Sequence, residues 1–165
     1  MFGTRTRERY YENVTTSIKL DIREALADAR AGKNPSAICR VPSGWVLMGK
    51  YQMIRGYCLL FADPIVPSLN DLDEAGRKQF LYDMSIVGDA LLAVTGAKRI
   101  NYEILGNKEP VLHAHLFPRY PDEQPVEMRQ KPVWQFVERK EPFDLTKHKP
   151  LMEELAREIT KRLNK

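Results

Sequence analysis

The sequence predicts an α+β domain in which a five-stranded, mostly antiparallel sheet packs against helices. Two observations lead to this prediction. Five short apolar stretches are bounded by turn residues, as strands are, and two longer stretches repeat apolar residues at helical spacing. The 165 residues are enough for one domain with a buried core, whereas two domains would each be small. We therefore expect a single domain over residues 1–165.

The first part of the chain is predicted to contain one helix and three strands. Apolar residues recur at helical spacing over residues 16–31, and Gly32 stands where a C-terminal cap is expected. The predicted strands that follow are residues 37–41, 45–50 and 56–62. The Pro-Ser-Gly sequence between the first two has the composition of a turn, so we expect a hairpin there.

The clearest predicted element is a second helix that begins near Asp71 and ends near Gly96. Asp71 is followed three residues later by Glu74, which is the spacing of a capping box. The predicted buried stripe of this helix consists of Phe80, Met84, Val87, Leu91 and Val94. Two more strands are expected at residues 99–105 and 111–117, joined by a turn at Gly106 and Asn107.

The pattern changes after Tyr120, where four prolines are spread over residues 121–149. We expect this segment to be mostly irregular and to wrap the domain, with a short strand around Trp134–Val137. Helical spacing returns over residues 150–163, which predicts a C-terminal amphipathic helix.

Composition and charge exclude several classes of protein. No apolar run is long enough to cross a bilayer, and the first residues lack the apolar core of a secretory signal, so we expect a cytoplasmic location. The net charge of +4 suits an anionic small molecule and is too modest for a nucleic-acid-binding surface. Cys39 and Cys58 are expected to be reduced thiols on strands.

Two of the three histidines in the chain lie on one predicted strand, in the sequence VLHAHLF. Side chains alternate along a strand, so His113 and His115 project from one face. The apolar residues Leu112, Ala114 and Leu116 project from the other face and can pack on the helices. A rigid strand therefore presents both imidazoles to one ligand.

Three interpretations of the histidine pair are open. Both rings could fill space with satisfied hydrogen bonds. They could bind a metal ion, which needs a third ligand from His148 or from a carboxylate such as Glu103. The third interpretation is nucleophilic catalysis, because neutral imidazole attacks phosphorus without a separate base.

Nucleophilic catalysis needs further groups around the reacting nitrogen. The other ring nitrogen must be hydrogen-bonded, and donors must stabilise charge on the phosphoryl oxygens. His115 can meet one of these needs, and the Gly106–Asn107 turn can add an amide donor and backbone N–H groups. Asn101 and Lys108 can reach the same phosphate from the neighbouring strand and turn. Arg119 can anchor either the strand end or the substrate.

The last predicted strand and its flanking residues resemble the histidine triad superfamily of nucleotide hydrolases and transferases. The motif of that family is a His-x-His-x-His strand, preceded by Gly-Gln or Gly-Asn and followed by two apolar residues and often Pro-Arg. Gly106 and Asn107 match the first flank, and Pro118 and Arg119 match the second. The resemblance extends over about residues 35–120, which we take as the core of the domain.

Both flanks place the histidines in one register of that motif. Val111 occupies the first histidine position, His113 the central position and His115 the third. The resemblance implies that His113 is the nucleophile of a covalent phosphohistidine or nucleotidyl-histidine intermediate. It implies that His115 contacts the phosphate or the departing oxygen. Gly49 lies near the position where the family commonly has an Asp or Asn for the ribose hydroxyls.

The resemblance implies the histidine triad fold and a hydrolase or transferase, similar to dinucleoside polyphosphate hydrolases, that acts on a nucleotide-like or other phosphorylated small molecule. We expect no metal, no cofactor and no membrane in this activity. Because relatives are often homodimers, we also expect a homodimer. Two alternatives stay open: a nucleotide-binding or regulatory module with weakened catalysis, since Val111 replaces one histidine, and a His-x-His metal-binding protein.

Overall fold

The computed structural model describes residues 22–123, 126–133, 135 and 141–165. Within these residues the helices are α1 (22–30), α2 (Glu74–Thr95) and α3 (Leu145–Leu163). The strands are β1 (Ala37–Val41), β2 (Gly44–Met48), β3 (Tyr51–Gln52), β4 (Cys58–Ala62), β5 (Arg99–Glu103), β6 (His113–Arg119) and β7 (Glu141–Pro142).

Five of these strands form one sheet in the order β1, β2, β4, β6, β5, with every neighbouring pair antiparallel. The α+β prediction with a five-stranded antiparallel sheet is therefore confirmed. The predicted hairpin joins β1 to β2, and Val41 pairs directly with Gly44. A smaller ladder of β3 and β7 was not expected from the sequence, because each of these strands has only two residues.

One face of the sheet packs against α2 and α3 and forms the main core. The largest side chains there are almost completely buried: Phe80 and Leu91 from α2, Leu155 and Ile159 from α3, and Leu60 and Leu116 from the sheet. A fully buried side chain of this size contributes about 1.5–3 kcal/mol through removal of apolar surface from water. This core holds one face of the sheet against α2 and α3 and leaves the opposite face for other contacts.

The opposite face of the sheet carries α1 and a second apolar cluster. The cluster joins apolar side chains of the helix to side chains of the sheet and of the residues next to it: Ile22, Leu26 and Ala29 with Leu47, Phe61 and Val111. Arg30, at the end of α1, and Arg40, on β1, both bind the buried carboxylate of Asp63, which follows β4. These two ion pairs hold the pKa of Asp63 below its usual value, chiefly through the hydrogen bond from Arg30.

The N-terminal cap of α2 differs from the sequence prediction. Asp73, not Asp71, is the capping residue, and its carboxylate accepts a 2.7 Å hydrogen bond from the backbone N–H of Gly76. Asp71 lies in a short 3₁₀ turn, Leu69–Asp71, and accepts a bond from the hydroxyl of Ser68. The predicted capping box was wrong because two Asp residues precede the helix at close spacing. The predicted end was correct, since Gly96 is the C-terminal cap at φ 74°.

The C-terminal helix begins five residues earlier than predicted. Asp144 caps it by accepting a bond from the N–H of Lys147, and the helix continues through Pro150. Pro150 has no N–H for the helical ladder, so its position in the second turn of the helix removes one backbone hydrogen bond. The apolar spacing that predicted this helix runs through Leu151, Leu155, Ile159 and Leu163. Leu155 and Ile159 are buried, whereas Leu151 and Leu163 are partly buried.

The other boundaries shift by a few residues. The strands predicted at 45–50, 56–62, 99–105 and 111–117 are Gly44–Met48, Cys58–Ala62, Arg99–Glu103 and His113–Arg119. The predicted first helix is observed over residues 22–30, and residues 16–21 lie outside the described part of the chain. Trp134, Phe136 and Val137 of the predicted short strand also lie outside it. No helix in the described ranges is long and apolar enough to span a membrane.

The corrected cap gives a test of this part of the fold. We expect Asp73→Ala to lower the free energy of unfolding by about 1 kcal/mol, because it leaves the N–H of Gly76 without its acceptor. The matched control is Asp71→Ala, whose lost bond to Ser68 is exposed and outside the helix. Urea unfolding measures both variants, and a larger loss for Asp71→Ala would contradict the assignment.

Candidate active site

β6 brings both histidines to the same face of the sheet, as the alternation predicts. His113 pairs with Phe61 of β4, and His115 pairs with Leu59 on β4 and Glu103 on β5. All seven residues of β6 are buried, and the exposed fractions of His113 and His115 are only 4% and 8%. The two imidazoles are therefore almost completely shielded from solvent, on a strand that is paired with a neighbour on each side.

The orientation of His113 is set by its own backbone neighbourhood. Its Nδ1 lies 2.7 Å from the carbonyl oxygen of Val111. A carbonyl can only accept, so Nδ1 carries the proton and Nε2 of the neutral ring keeps its lone pair. The ring also stacks on Phe61 with a centroid separation of 5.4 Å. His113 is thereby held as the tautomer whose Nε2 can act as a nucleophile.

The two imidazoles are hydrogen-bonded to each other, because Nε2 of His113 and Nε2 of His115 are 3.1 Å apart. On the far side of His115, its Nδ1 lies 2.7 Å from the hydroxyl of Tyr57. A continuous series of hydrogen bonds thus runs from Tyr57 through both rings to the Val111 carbonyl.

Tyr57 is the site residue that the sequence reasoning missed. It precedes β4, 58 residues before His115 in the chain, so no local spacing connects the two. Its ring is buried and stacks on Phe117 at a centroid separation of 4.4 Å. The only sequence signal was a polar-tipped aromatic at the start of a predicted strand, a residue that usually finds a hydrogen-bond partner when buried.

Two neighbours fix the position of Tyr57. A Cβ on residue 49 would lie 2.4 Å from Cδ1 of the tyrosine ring, so the glycine at this position is required for the ring to fit. The amide of Gln52 donates to the carbonyls of both Gly49 and Tyr57, at 3.0 and 2.9 Å. Gly49 therefore stands beside the histidine site, but its observed role is to make room for Tyr57.

Burial determines the protonation of His115. Desolvation, and to a smaller extent the repulsion that a protonated His113 would exert, lower the pKa of His115 from 6.5 to about 3. Burial also raises the pKa of Tyr57 above its ordinary value, so the phenol stays protonated. At neutral pH, His115 is thus a neutral imidazole beside the neutral hydroxyl of Tyr57.

The other sequence-predicted site residues are not gathered around the histidines. Gly106, Asn107 and Lys108 are exposed in the loop that connects β5 to β6. Within the described chain, the side chains of Asn107 and Lys108 make no hydrogen bond or ion pair. Asn101 lies on β5 opposite Phe117, on the same face as the histidines.

Asn101 lines a cleft of about 450 Å³ at the end of β5 and β6. Five lysine or arginine side chains and two glutamates contribute to its walls. Arg119 is structural there: it is buried, pairs with Glu123 at 2.8 Å and donates to the carbonyls of Met128 and Lys131. Of its two predicted roles, anchoring is therefore the one observed. Lys98, Arg99 and Lys131 have no carboxylate partner among the described residues, so they leave the cleft positively charged.

The described residues offer no third metal ligand beside the histidine pair. Among the residues that the structure describes, no three His, Cys, Asp or Glu side chains form a group that could hold a metal ion. His148, the remaining histidine, lies in the first turn of α3, where its ring bonds to Asp144 and stacks on Phe143. Cys39 and Cys58 are free thiols on β1 and β4. Burial raises the pKa of the Cys39 thiol to about 12, which keeps it protonated at neutral pH.

The arrangement was compared with known proteins. Neither the family models nor the curated proteins give a match to this chain. Among solved structures, a histidine triad protein from Bradyrhizobium japonicum is 27% identical, with a TM-score of 0.64 over 79% of this chain and 94% of that chain. A histidine triad protein from Marinobacter aquaeolei VT8 is 18% identical, with a TM-score of 0.66 over 84% and 94%. A zinc-bound histidine triad family protein from Mycobacterium smegmatis is 16% identical, with a TM-score of 0.56 over 84% and 91%.

The shifted pKa of His115 predicts a dependence of stability on pH. In the unfolded chain this group titrates near 6.5, whereas in the fold its pKa is about 3, so between these values only the unfolded state binds the proton. Lowering the pH from about 7 to about 4 should therefore reduce the free energy of unfolding by on the order of 3 kcal/mol through this group.

Urea titrations of the wild type and of His115→Gln at both pH values measure that loss. The variant cannot titrate at this position, so it should lose less stability in acid than the wild type does. Equal acid sensitivity in the two chains would show that His115 is not held neutral by the fold.

Proposed function

We propose that this chain, which has the fold of the histidine triad proteins, is a hydrolase or transferase that acts on phosphoanhydride or phosphate ester bonds of nucleotide-like substrates. Dinucleoside polyphosphates are the type of substrate we expect. One observation carries the proposal: the Val111 carbonyl holds the Nδ1 proton of His113, so that Nε2 presents a lone pair on the face shared with His115.

The proposed reaction has two steps. Nε2 of His113 attacks the phosphorus atom, the N–P bond forms and the bond from phosphorus to the leaving oxygen breaks, with the electron pair staying on that oxygen. The Nδ1 proton of His113 remains on the bond to Val111 and balances the charge of the phosphohistidine. Water or a second acceptor then attacks the same phosphorus. The N–P bond breaks, its electron pair returns to Nε2, and the proton of the attacking group passes to a product phosphate oxygen or to solvent, which leaves neutral His113.

His115 moves during the first step. At rest its Nε2 is 3.1 Å from Nε2 of His113, so the reacting lone pair is occupied by a hydrogen bond. An incoming phosphoryl group replaces that bond, and the N–H of His115 then points at a phosphoryl or departing oxygen. This is the kind of fixed donor that stabilises charge in the transition state.

The remaining substrate contacts follow from charge and position. Asn101 lines a positive cleft on the histidine side of β5, together with Lys98, Arg99 and Lys131, which have no carboxylate partner among the described residues. Gly106, Asn107 and Lys108 are proposed to bind phosphate from the loop before β6, where they are exposed and available. A single domain and a cytoplasmic location stay predictions.

A second candidate is a nucleotide-binding or regulatory module without turnover. One observation favours it: all four ring nitrogens of the pair have hydrogen-bond partners, and both rings are more than nine-tenths buried. A pair of this kind can serve the fold alone. Chemical trapping of the intermediate separates the two candidates.

Incubation with dinucleoside polyphosphates, nucleoside phosphoramidates and sugar nucleotides, followed by a basic quench that preserves N–P bonds, should give a nucleotidyl or phosphoryl adduct on His113. We expect His113→Gln to abolish the adduct because the attacking nitrogen is removed. His115→Gln should slow its formation by on the order of 100-fold, because it removes one oxyanion donor. Mass spectrometry of peptides locates and quantifies the adduct.

The matched control is His148→Gln, since His148 is the one histidine outside the pair and is bonded within α3. This variant should form the adduct at the wild-type rate. Tight nucleotide binding without adduct or product in the wild type would favour the binding module. Stoichiometric metal that is lost on substitution of either His113 or His115 would favour the metalloprotein alternative.

We also propose that the chain forms a homodimer through β5. This strand is at the edge of the sheet, where its outer backbone groups have no strand partner within the described chain. Three large apolar side chains are exposed on it or directly after it: Tyr102, Ile104 and Leu105, with exposed fractions of 41%, 38% and 41%. A second copy that pairs with this edge would satisfy the backbone and cover those side chains.

Sedimentation velocity tests the proposed interface. We expect the wild type to sediment as a dimer and Leu105→Lys to weaken dimerisation by at least about tenfold, since each buried charge opposes association. The matched control is Leu145→Lys, at an equally exposed leucine in the first turn of α3. A monomeric wild type, or equal effects of the two variants, would exclude this surface.

A further inference from the structure

The cleft of about 450 Å³ at the end of β5 and β6 is charged unevenly along its length. Its cations gather around Arg119: Arg99 is the strand partner of that residue, and the N–H of Lys98 donates to its carbonyl. Lys131 belongs to the same end, since its carbonyl accepts from the Arg119 guanidinium. Glu103 lines the opposite end, four residues from Arg99 along β5, which is about 13 Å at the rise of an extended strand. One end of the cleft is therefore positive, and the other end carries a carboxylate.

The positive end of the cleft is preformed by a buried ion pair. The side chains of Arg119 and Glu123 are only 9% and 5% exposed, and the guanidinium also donates to the carbonyl of Lys131. This pair is neutral as a whole, and it fixes the segment that carries Lys131 next to β5. Lys98, Arg99 and Lys131 are exposed and have no carboxylate partner in the described chain. They are therefore available to bind a phosphate group.

The carboxylate end of the cleft adjoins the histidine pair. Glu103 is the strand partner of His115 on the same face of the sheet, where directly opposite residues have Cβ atoms about 5 Å apart. Nε2 of His113, the proposed nucleophile, is 3.1 Å from Nε2 of His115, so a phosphorus atom bound there lies at the same level of the sheet. A carboxylate has about four acceptor positions. Glu103 can therefore accept a ligand hydroxyl in addition to its contacts within the protein.

This distribution of charge specifies the chemistry of a ligand. A phosphate group belongs at the cations, because at the other end it would face a carboxylate of like charge. The end beside the histidines suits a neutral hydroxyl group, which can donate to Glu103. Asn101 lies between the two ends, opposite Phe117, and its amide can donate to or accept from the middle of the ligand. The volume of the cleft is within the range of sites for small molecules.

We propose, on the basis of the proposed function, that the cleft binds the acceptor of the second step and that this acceptor is a small phosphate monoester with a free hydroxyl, such as a sugar phosphate. The hydroxyl oxygen attacks the phosphorus on His113, the new P–O bond forms and the N–P bond breaks, with its electron pair returning to Nε2. Glu103 acts as general base: it takes the hydroxyl proton and releases it to solvent. The phosphate of the acceptor stays at Lys98 and Arg99 and takes no part in the bond changes. The chain is then a transferase.

Competition between acceptors is the first experiment. A dinucleoside polyphosphate is the donor, and ribose 5-phosphate or ribose is added at equal concentration and equal ionic strength. We expect the wild type to transfer its nucleotidyl group to a hydroxyl of ribose 5-phosphate in preference to water. Ribose should be used at least about tenfold less well, because it lacks the group that binds the cations. ³¹P NMR separates the phosphodiester from the hydrolysis product, and hydrolysis alone, or equal use of both sugars, would overturn the acceptor role of the cleft.

Variants at the two ends of the cleft separate binding from proton transfer. The double variant Lys98→Gln with Arg99→Gln should lose the preference for ribose 5-phosphate over ribose. The matched control is Lys78→Gln, an exposed, ion-paired lysine on α2, which should keep the full preference. Glu103→Gln should slow the reaction of the isolated His113 adduct with ribose 5-phosphate by on the order of 100-fold, since the general base is removed. An unchanged preference in the double variant, or an unchanged rate in Glu103→Gln, would overturn the assignment.

Calorimetric titration with ribose 5-phosphate alone requires no turnover. The wild type should bind it with a millimolar dissociation constant, and the double variant Lys98→Gln with Arg99→Gln at least about tenfold more weakly. Absence of any His113 adduct in the wild type would refute the proposed function and the acceptor role with it, whereas the titration would still confirm or refute a phosphate-monoester site in the cleft. An adduct that forms and hydrolyses but ignores ribose 5-phosphate would refute the acceptor role alone.

Discussion

The structure depends on the complete burial of β6 between β4 and β5. Because all seven of its residues are buried, every polar group on this strand must find a partner inside the protein. The apolar side chains of Ala114 and Leu116 need no such partner and pack toward α2 and α3. The two histidines meet it by bonding to each other, to a backbone carbonyl and to a tyrosine, and this shared solution gives the site its order.

The orientation of the central histidine depends on the main chain at residue 111, not on the side chain there. Val111 provides a carbonyl to Nδ1 of His113, while its own side chain packs with Phe61 and α1 in a small apolar cluster. The tautomer of His113 is thus set by a backbone carbonyl, which any residue at position 111 would provide.

Sequence periodicity predicted the parts of this arrangement that depend on neighbouring residues. The common face of His113 and His115 and the β1–β2 hairpin follow from local alternation and turn composition. Helical spacing predicted the stripe of α2 in part, since Phe80, Val87 and Leu91 are buried, whereas Met84 and Val94 are only partly buried. Tyr57 could not be found in this way, because its bond to His115 spans 58 residues and depends on how β4 aligns with β6. The start of α3 was missed because residues 146–149 are all polar, so the apolar spacing begins only at Leu151, whereas the helix begins directly after its cap Asp144. The cleft beside Asn101 also depends on contacts that local spacing does not predict, because the buried guanidinium of Arg119 donates to the carbonyls of Met128 and Lys131.

The close fit of the ring of Tyr57 over Gly49 has a consequence for how this site can vary. A side chain at position 49 and an aromatic ring at position 57 exclude each other, because the Cβ of one would lie 2.4 Å from a ring carbon of the other. The two positions are therefore not independent during sequence divergence. A chain that gains a polar side chain at position 49, for example to bind a sugar hydroxyl, must first exchange its tyrosine for a smaller residue. We expect such changes to occur as pairs, and the glycine and the tyrosine to be inherited together.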